Sequence, residues 1–168
     1  GSEMCIRDRL RIGDTLTEGE KIHFTGIPSF APELLKSVRA LDPLKSKHLG
    51  AALQQIAEEG GASVFKPIVG SEWIVGVVGT LQFEVMADRI KNEFNIPVMF
   101  EPTQYYTARW IECPDKNVFE KFRNASQLNL AEDHDGELVF LARNAWHLGK
   151  VHEDFPEIVL KKTREQVL

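Results

Sequence analysis

The stretch Trp73–Phe94, WIVGVVGTLQFEVMADRIKNEF, decides the fold of this 168-residue chain. Its first part, Trp73 to Val78, is apolar without alternation, which predicts a strand covered on both faces. Gly79 permits a sharp turn, and we expect Thr80 to cap the following helix by accepting a backbone N–H bond. Asn95 ends that helix. Apolar residues at a spacing of three to four predict its buried stripe: Phe83, Ala87, Ile90 and Phe94.

A strand, a helix and a second strand are predicted before this stretch. Phe30 to Arg39 is the first strand of the main domain. Asp42-Pro43 indicates a helix start, because Asp caps a helix and Pro suits its first position. Gly60-Gly61 ends this helix. Ser63 to Val69 follows as a strand, and Pro67 favours an edge position for it because proline cannot donate to a sheet ladder.

The order of these elements predicts the architecture. A hairpin turn at Val69–Glu72 leads into the central strand, and Val98 to Glu101 is a fourth strand. The resulting β-α-β-β-α-β order indicates a ferredoxin-like split, a four-stranded antiparallel sheet with both helices on one face. The predicted class is α+β, and this first subdomain takes residues 28–102.

The following residues, 103–168, are predicted to form a second, smaller α/β subdomain of similar organisation that packs on the first. Its predicted order is β-α-β-α-β, and Gln127 to Gly136 is interpreted as a polar loop. About 60 residues would be marginally stable alone, so we expect shared burial. The predicted strands are Thr107–Cys113, Leu138–Ala142 and Ile158–Lys162, and the predicted helices are Lys116–Ser126 and Trp146–Phe155.

Residues 1–27 do not fit either subdomain. Gly1-Ser2 is typical of an expression-tag remnant. Glycines and Asp14 mark turns, and Lys21 to Phe24 alternates like a strand. This part is too short to build a core, so we interpret it as the remnant plus the last strands of a preceding β domain.

Composition excludes some classes of protein. The chain is 43% hydrophobic and 27% charged, which is ordinary for a folded domain. No apolar run approaches the roughly 20 residues that a membrane helix needs. Cys5 and Cys113 are far apart without a partner motif, which favours reduced thiols in a cytosolic protein. The net charge of −5 is unusual for a free-standing nucleic-acid-binding domain.

Residue patterns that would indicate catalysis or ligand binding are weak. The chain has no phosphate-loop or dinucleotide-binding glycine motif. We interpret the trios Asp133-His134-Asp135 and His152-Glu153-Asp154 as solvated surface, because neither has the spacing of a metal site. Glu84 is a lone carboxylate, and general acid–base catalysis needs a positioned pair. Trp110, Trp146 and the phenylalanines could stack on bases, but core packing is the better interpretation for most of these aromatic residues.

A basic cluster is the strongest candidate for a contact surface. Lys36, Arg39, Lys45 and Lys47 flank the predicted helix start at Asp42. A charge run is most often a solvated face, but lysines beside exposed helix N-terminal N–H groups also suit phosphate contacts. The sequence therefore predicts Arg39, Lys45 and Lys47 as contact candidates.

Several segments together resemble bacterial peptide-chain release factor 3, a family of translational GTPases. The resemblance runs from about Arg11 to Glu165, and the first subdomain is also similar to the third domain of elongation factor G. The segments that carry it are FTGIPSFAPE at 24–33, DPLKSK at 42–47, GVVGTLQFEV at 76–85, TARW at 107–110 and KTRE at 162–165.

The resemblance implies that this chain is the carboxy-terminal domain of such a factor. The implied partners are the ribosome, through small-subunit rRNA and ribosomal proteins, and the factor's own G domain and β-barrel domain. GTP or GDP with Mg²⁺ is implied for the G domain alone, so the fragment itself holds no cofactor and is no enzyme. The implied role is promoting dissociation of stop-codon-reading release factors after peptide release, in the cytoplasm. Arg109 and Arg164 join the contact candidates.

Two other functions remain open from the sequence. One is a free-standing ferredoxin-like acyl phosphate hydrolase, which needs an arginine and an anion-binding loop at the first strand–helix junction. The other is a small-ligand regulatory module, which would carry a glycine at the first turn where the ligand binds. Ala40 to Pro43 lacks such a glycine, which argues against both.

Overall fold

The computed structural model describes residues 28–165, with side chains over 30–163. The predictions for residues 1–27 lie outside this part of the chain. Within it, no helix is long and apolar enough to cross a membrane.

The first unit is a ferredoxin-like split, as predicted. Its four strands pair antiparallel throughout in the order β5-β2-β4-β3. A short 3-10 turn at Pro43–Lys45 precedes the first α-helix. The elements are β1 (Pro28–Phe30), which lies outside this sheet, β2 (Leu34–Ala40), α1 (Ser46–Glu58), β3 (Ser63–Pro67), β4 (Trp73–Val77), α2 (Leu81–Phe94) and β5 (Val98–Pro102).

The second unit repeats this topology with one strand more than predicted. Its strand order is β7-β8-β6-β9, which is the order of the first unit read from the opposite side. The α+β class is confirmed. The elements are β6 (Thr107–Glu112), α3 (Lys116–Ala125), a 3-10 turn (Gln127–Asn129), β7 (Leu130–Glu132), β8 (Leu138–Ala142), α4 (Ala145–Asp154) and β9 (Val159–Lys161), and β10 (Thr163–Glu165) then pairs with β1.

The additional strand, β7, corrects the interpretation of Gln127–Gly136 as a polar loop. Leu130 and Ala131 are fully buried, and the backbone of β7 pairs with both β8 and β3. Three residues are too few to show a strand periodicity. The predicted order β-α-β-α-β is therefore β-α-β-β-α-β in the structure.

The pairing of β3 with β7 joins the two units into one eight-stranded sheet. The edge position that Pro67 predicted for β3 holds within the four strands of the first unit, but in the eight-stranded sheet this edge is paired with β7. Pro67 is tolerated because it is the last residue of β3, opposite Ala131, and the next amide, Ile68 N, donates to Leu130 O at 3.0 Å.

The start of α2 differs from the prediction in its cap. The Thr80 side chain makes no capping hydrogen bond. Instead, Gln82 Oε1 accepts from Val78 N at 2.9 Å and from Gly79 N at 2.8 Å, so a carboxamide inside the helix satisfies the amides before it. The end of the helix is as predicted, since Asn95 adopts the left-handed conformation with φ 56°.

The two helix layers each cover an apolar core. In the first unit α1 and α2 cover residues such as Val38, Val75 and Ile90. Met86 joins the predicted α2 stripe as a buried member. In the second unit Phe122 of α3 and Val151 of α4 pack with Phe140.

A third core lies on the sheet faces that carry no helix. In β4, Val75 faces the helices of its unit, whereas Ile74 faces this third core. Its members come from both units and are buried: Phe65, Ile74, Tyr105, Ala108, Trp110, Ala131, Val139 and Leu141. Since no helix covers them, the two helix-free faces cover each other. The sheet therefore folds over between β3 and β7, and the helices lie on the outside.

Gly76 lies on the helix-free face of β4, where the segment before β2 packs closely against it. A Cβ at Gly76 would lie 2.3 Å from Pro32 Cγ and 2.6 Å from Pro32 Cβ. We predict that Gly76→Ala lowers the free energy of unfolding by about 1–3 kcal/mol in urea denaturation. Gly149→Ala is the matched control, because nothing lies within 4 Å of its Cβ position inside α4. This control should gain about 0.5–1 kcal/mol. Equal stability of Gly76→Ala and the parent would contradict the close contact with Pro32.

A buried carboxylate fixes the turn between β7 and β8. Asp133 Oδ2 accepts from Trp110 Nε1 at 3.0 Å. Its Oδ1 accepts from Asp135 N and Glu137 N, both at 2.9 Å. Asp133 is only 8% exposed, so assigning it to solvated surface is wrong. The sequence shows no sign of this role, because the tryptophan that Asp133 binds is 23 residues away.

We predict that Asp133→Ala lowers the free energy of unfolding by about 2–4 kcal/mol, since a buried indole N–H and two turn amides lose their acceptor. Chemical denaturation measures the loss. Glu137→Ala, an exposed carboxylate of the same turn, should change stability by less than about 0.5 kcal/mol. Similar losses in the two variants would show that the turn does not depend on the Asp133 carboxylate.

Candidate functional site

Three of the predicted contact residues lie at one end of the first unit. Arg39 of β2 contacts Glu101, and Lys45 contacts Asn95, so both side chains lie against the segment around β5. Lys47 follows in the first turn of α1. The structure therefore brings Arg39, Lys45 and Lys47 to a common region, but their partners differ.

Arg39 is exposed and paired. Its Nε donates to Glu101 Oε1 at 2.7 Å, and both side chains are largely in solvent. An exposed pair of this kind contributes little stability. It also offsets the charge of Arg39, so this residue offers less net attraction for an anion than the sequence suggests.

Lys45 has a structural partner and Lys47 does not. Lys45 Nζ donates to Asn95 O at 2.7 Å, just beyond the C-terminus of α2, where a cation offsets the negative end of the helix dipole. Lys47 is exposed and makes no ion pair or hydrogen bond to the described residues. Lys47 is therefore the freest cation of the three.

The helix start at Asp42 offers fewer free amides than expected. Asp42 caps the 3-10 turn, as predicted, with its carboxylate accepting from Leu44 N at 3.0 Å. Its negative charge lies where a phosphate would bind. An anion at this junction would therefore have to compete with the chain's own carboxylate.

The other two candidates lie away from this end. Arg109 of β6 is half-buried, and its Nη1 donates to Thr107 Oγ1 at 2.6 Å and to Ala108 O at 2.8 Å. Burial lowers the pKa of the Arg109 guanidinium from its usual value, and the nearby Tyr106 hydroxyl opposes this shift. Arg164 pairs through its backbone with Ser29, and its side chain lies outside the described part.

A surface groove of about 540 Å³ contains Arg109 and was not anticipated from the sequence. The sequence feature that could have indicated the groove is the pair Tyr105-Tyr106. Neighbouring side chains of an extended segment point to opposite faces, so only one of the two rings is expected to be buried. Tyr105 is buried, whereas Tyr106 is 59% exposed. The residues that line the groove include Phe30, Glu33, Val78, Tyr106, Arg109 and Lys162.

The two lysines give a test that separates structure from surface. We predict that Lys45→Ala lowers the free energy of unfolding by about 0.5–1 kcal/mol, because the end of α2 loses its cation. Lys47→Ala should change it by less than about 0.5 kcal/mol. Thermal unfolding of both variants measures the difference. A larger loss for Lys47→Ala than for Lys45→Ala would contradict this assignment.

Comparison with known protein families identifies a family that matches this chain. The family described as class II release factor RF3, C-terminal domain, matches residues 24–152. This range covers more than half of the 168 residues and runs from before β1 into α4, so it includes most of both units. The chain therefore belongs to the class II release factor RF3 family, through the C-terminal domain of that family.

Proposed function

We propose that this chain is the ribosome-contacting arm of a translation termination GTPase. The arm helps the factor dissociate the stop-codon-reading release factor after the peptide has been released. The family match over residues 24–152 is the observation that supports this role. GTP with Mg²⁺ is bound by the factor's G domain in this proposal, and the arm works in the cytoplasm beside that domain and the β-barrel domain.

The fold suits an arm that is moved as one body. The two units share a buried layer and a continuous sheet, so displacement of one unit carries the other with it. The arm contacts small-subunit rRNA and ribosomal proteins in this proposal. Its net charge of −5 requires these contacts to be local, or to include basic ribosomal proteins.

A free-standing acyl phosphate hydrolase or small-ligand module is less well supported. Both would use the junction between β2 and α1 for an anion or a ligand. The Asp42 carboxylate already binds the Leu44 amide there. The geometry of this junction therefore favours the family role over either alternative.

Co-sedimentation with intact ribosomes across a salt series tests the proposal. We expect the 168-residue chain to bind at low salt and to be released as salt increases, because local charge contacts are screened. The full factor with a non-hydrolysable GTP analogue is measured in parallel. Absence of binding by both proteins would contradict the proposal.

Charge reversal identifies the contact surface in the same assay. Lys47→Glu is expected to weaken ribosome association severalfold, since Lys47 is an exposed cation without a partner among the described residues. Lys121→Glu is the control, because Lys121 is an exposed lysine on α3 of the second unit, a helix that carries no contact candidate. Equal binding of the two variants would remove Lys47 from the contact surface.

A further inference from the structure

The groove around Arg109 has walls of exposed apolar and aromatic side chains. Phe30 is 69% exposed, Val78 is 70% exposed and Tyr106 is 59% exposed. These residues come from three separate parts of the chain. Single exposed apolar side chains are common in folded domains, but a group of them around one groove indicates a surface for a partner.

Two cations lie in the same groove. Lys161, the last residue of β9, pairs with Trp110, and Lys162 at the bend that follows lines the groove together with Arg109. Among the described residues no carboxylate forms an ion pair with either cation, although Glu33 also lines the groove. Burial weakens the hydration of the Arg109 guanidinium, which strengthens its attraction for an anion.

We propose that this groove binds single-stranded RNA, with Arg109 and Lys162 on a phosphate and a base stacked on Tyr106 or Phe30. The proposal rests on the proposed function in one respect, since the ribosome would supply the RNA. Basic grooves that carry exposed aromatic rings suit unpaired strands, because every base has a face that can stack.

The arrangement of charges and rings favours RNA over an acidic peptide. The carboxylate of an acidic peptide could bind the two cations, but covering the rings of Phe30 and Tyr106 would then require apolar side chains from other residues of the peptide. A nucleotide presents a phosphate and a flat base together, and a groove of about 540 Å³ lies within the size range of small-ligand sites. RNA therefore uses both features of the groove.

Photo-cross-linking on ribosomes tests which molecule occupies the groove. Tyr106 is replaced by benzoylphenylalanine in the 168-residue chain, which is then irradiated with intact ribosomes. We expect an adduct that ribonuclease shortens. An adduct with ribosomal protein alone, or no adduct while the chain still sediments with ribosomes, overturns the proposal. The same replacement at Trp146, which is 72% exposed and outside the groove, is the control.

A second measurement does not require ribosomes. Fluorescence anisotropy with a labelled uridine decamer gives the affinity of the 168-residue chain for an unpaired strand. We expect Tyr106→Ala to weaken binding by about fivefold or more, and Trp146→Ala to leave it unchanged. Arg109→Gln with Lys162→Gln should reduce the slope of log affinity against log salt by about one.

The two measurements separate the possible failures. If neither the chain nor the full factor sediments with ribosomes but the chain binds the decamer through Tyr106, the proposed function fails and the groove assignment stands. If the chain sediments but the decamer does not bind, or binds all variants equally, the groove assignment fails. Melting temperatures of the variants confirm folding, and Tyr106→Ala should retain the parent value because its ring is mostly in water.

Discussion

Mutual burial of the two helix-free sheet faces is the constraint on which the rest of the structure depends. Phe65 and Ile74 of the first unit and Val139 and Leu141 of the second would face water if the units were separated. A domain of about 60–75 residues has little surplus stability, so neither unit can easily expose such a layer. The first residues of β3 pair with β4 and its last residues pair with β7, which adds backbone hydrogen bonds to this apolar contact. The halves are thus one cooperative body despite their repeated topology.

Elements with a long periodic pattern could be predicted from the sequence, and short or paired features could not. The stripe of α2 and the apolar run of β4 indicated their burial and gave the ferredoxin-like order. β7 has three residues, and its burial depends on strands from both units. Trp110 and Trp146 are the same type of residue, yet Trp110 is 7% exposed and Trp146 is 72% exposed. Burial of an aromatic residue depends on tertiary packing that local sequence does not show.

The contact candidates show the same limit at the level of single side chains. Lys45 and Lys47 are two residues apart, but only Lys45 reaches the end of α2. The charge of Arg39 is offset by Glu101, which is 62 positions away in sequence. The groove is assembled from four separate segments around Phe30, Val78, Tyr106 and Lys162. Basic residues can be counted in a sequence, but the fold determines which of them are paired with a carboxylate or a carbonyl.

The pairing of β1 with β10 has a mechanical consequence. Pro28 lies opposite Glu165 and Phe30 opposite Thr163, so the chain enters and leaves side by side. Tension applied between these two points would load the pair at its outer end and open it one residue pair at a time, like a zipper, rather than shearing all its bonds together. The β1–β10 pair is therefore compliant, whereas the eight-stranded sheet is stiff. Under load the β1–β10 pair would open first and leave the eight-stranded sheet intact.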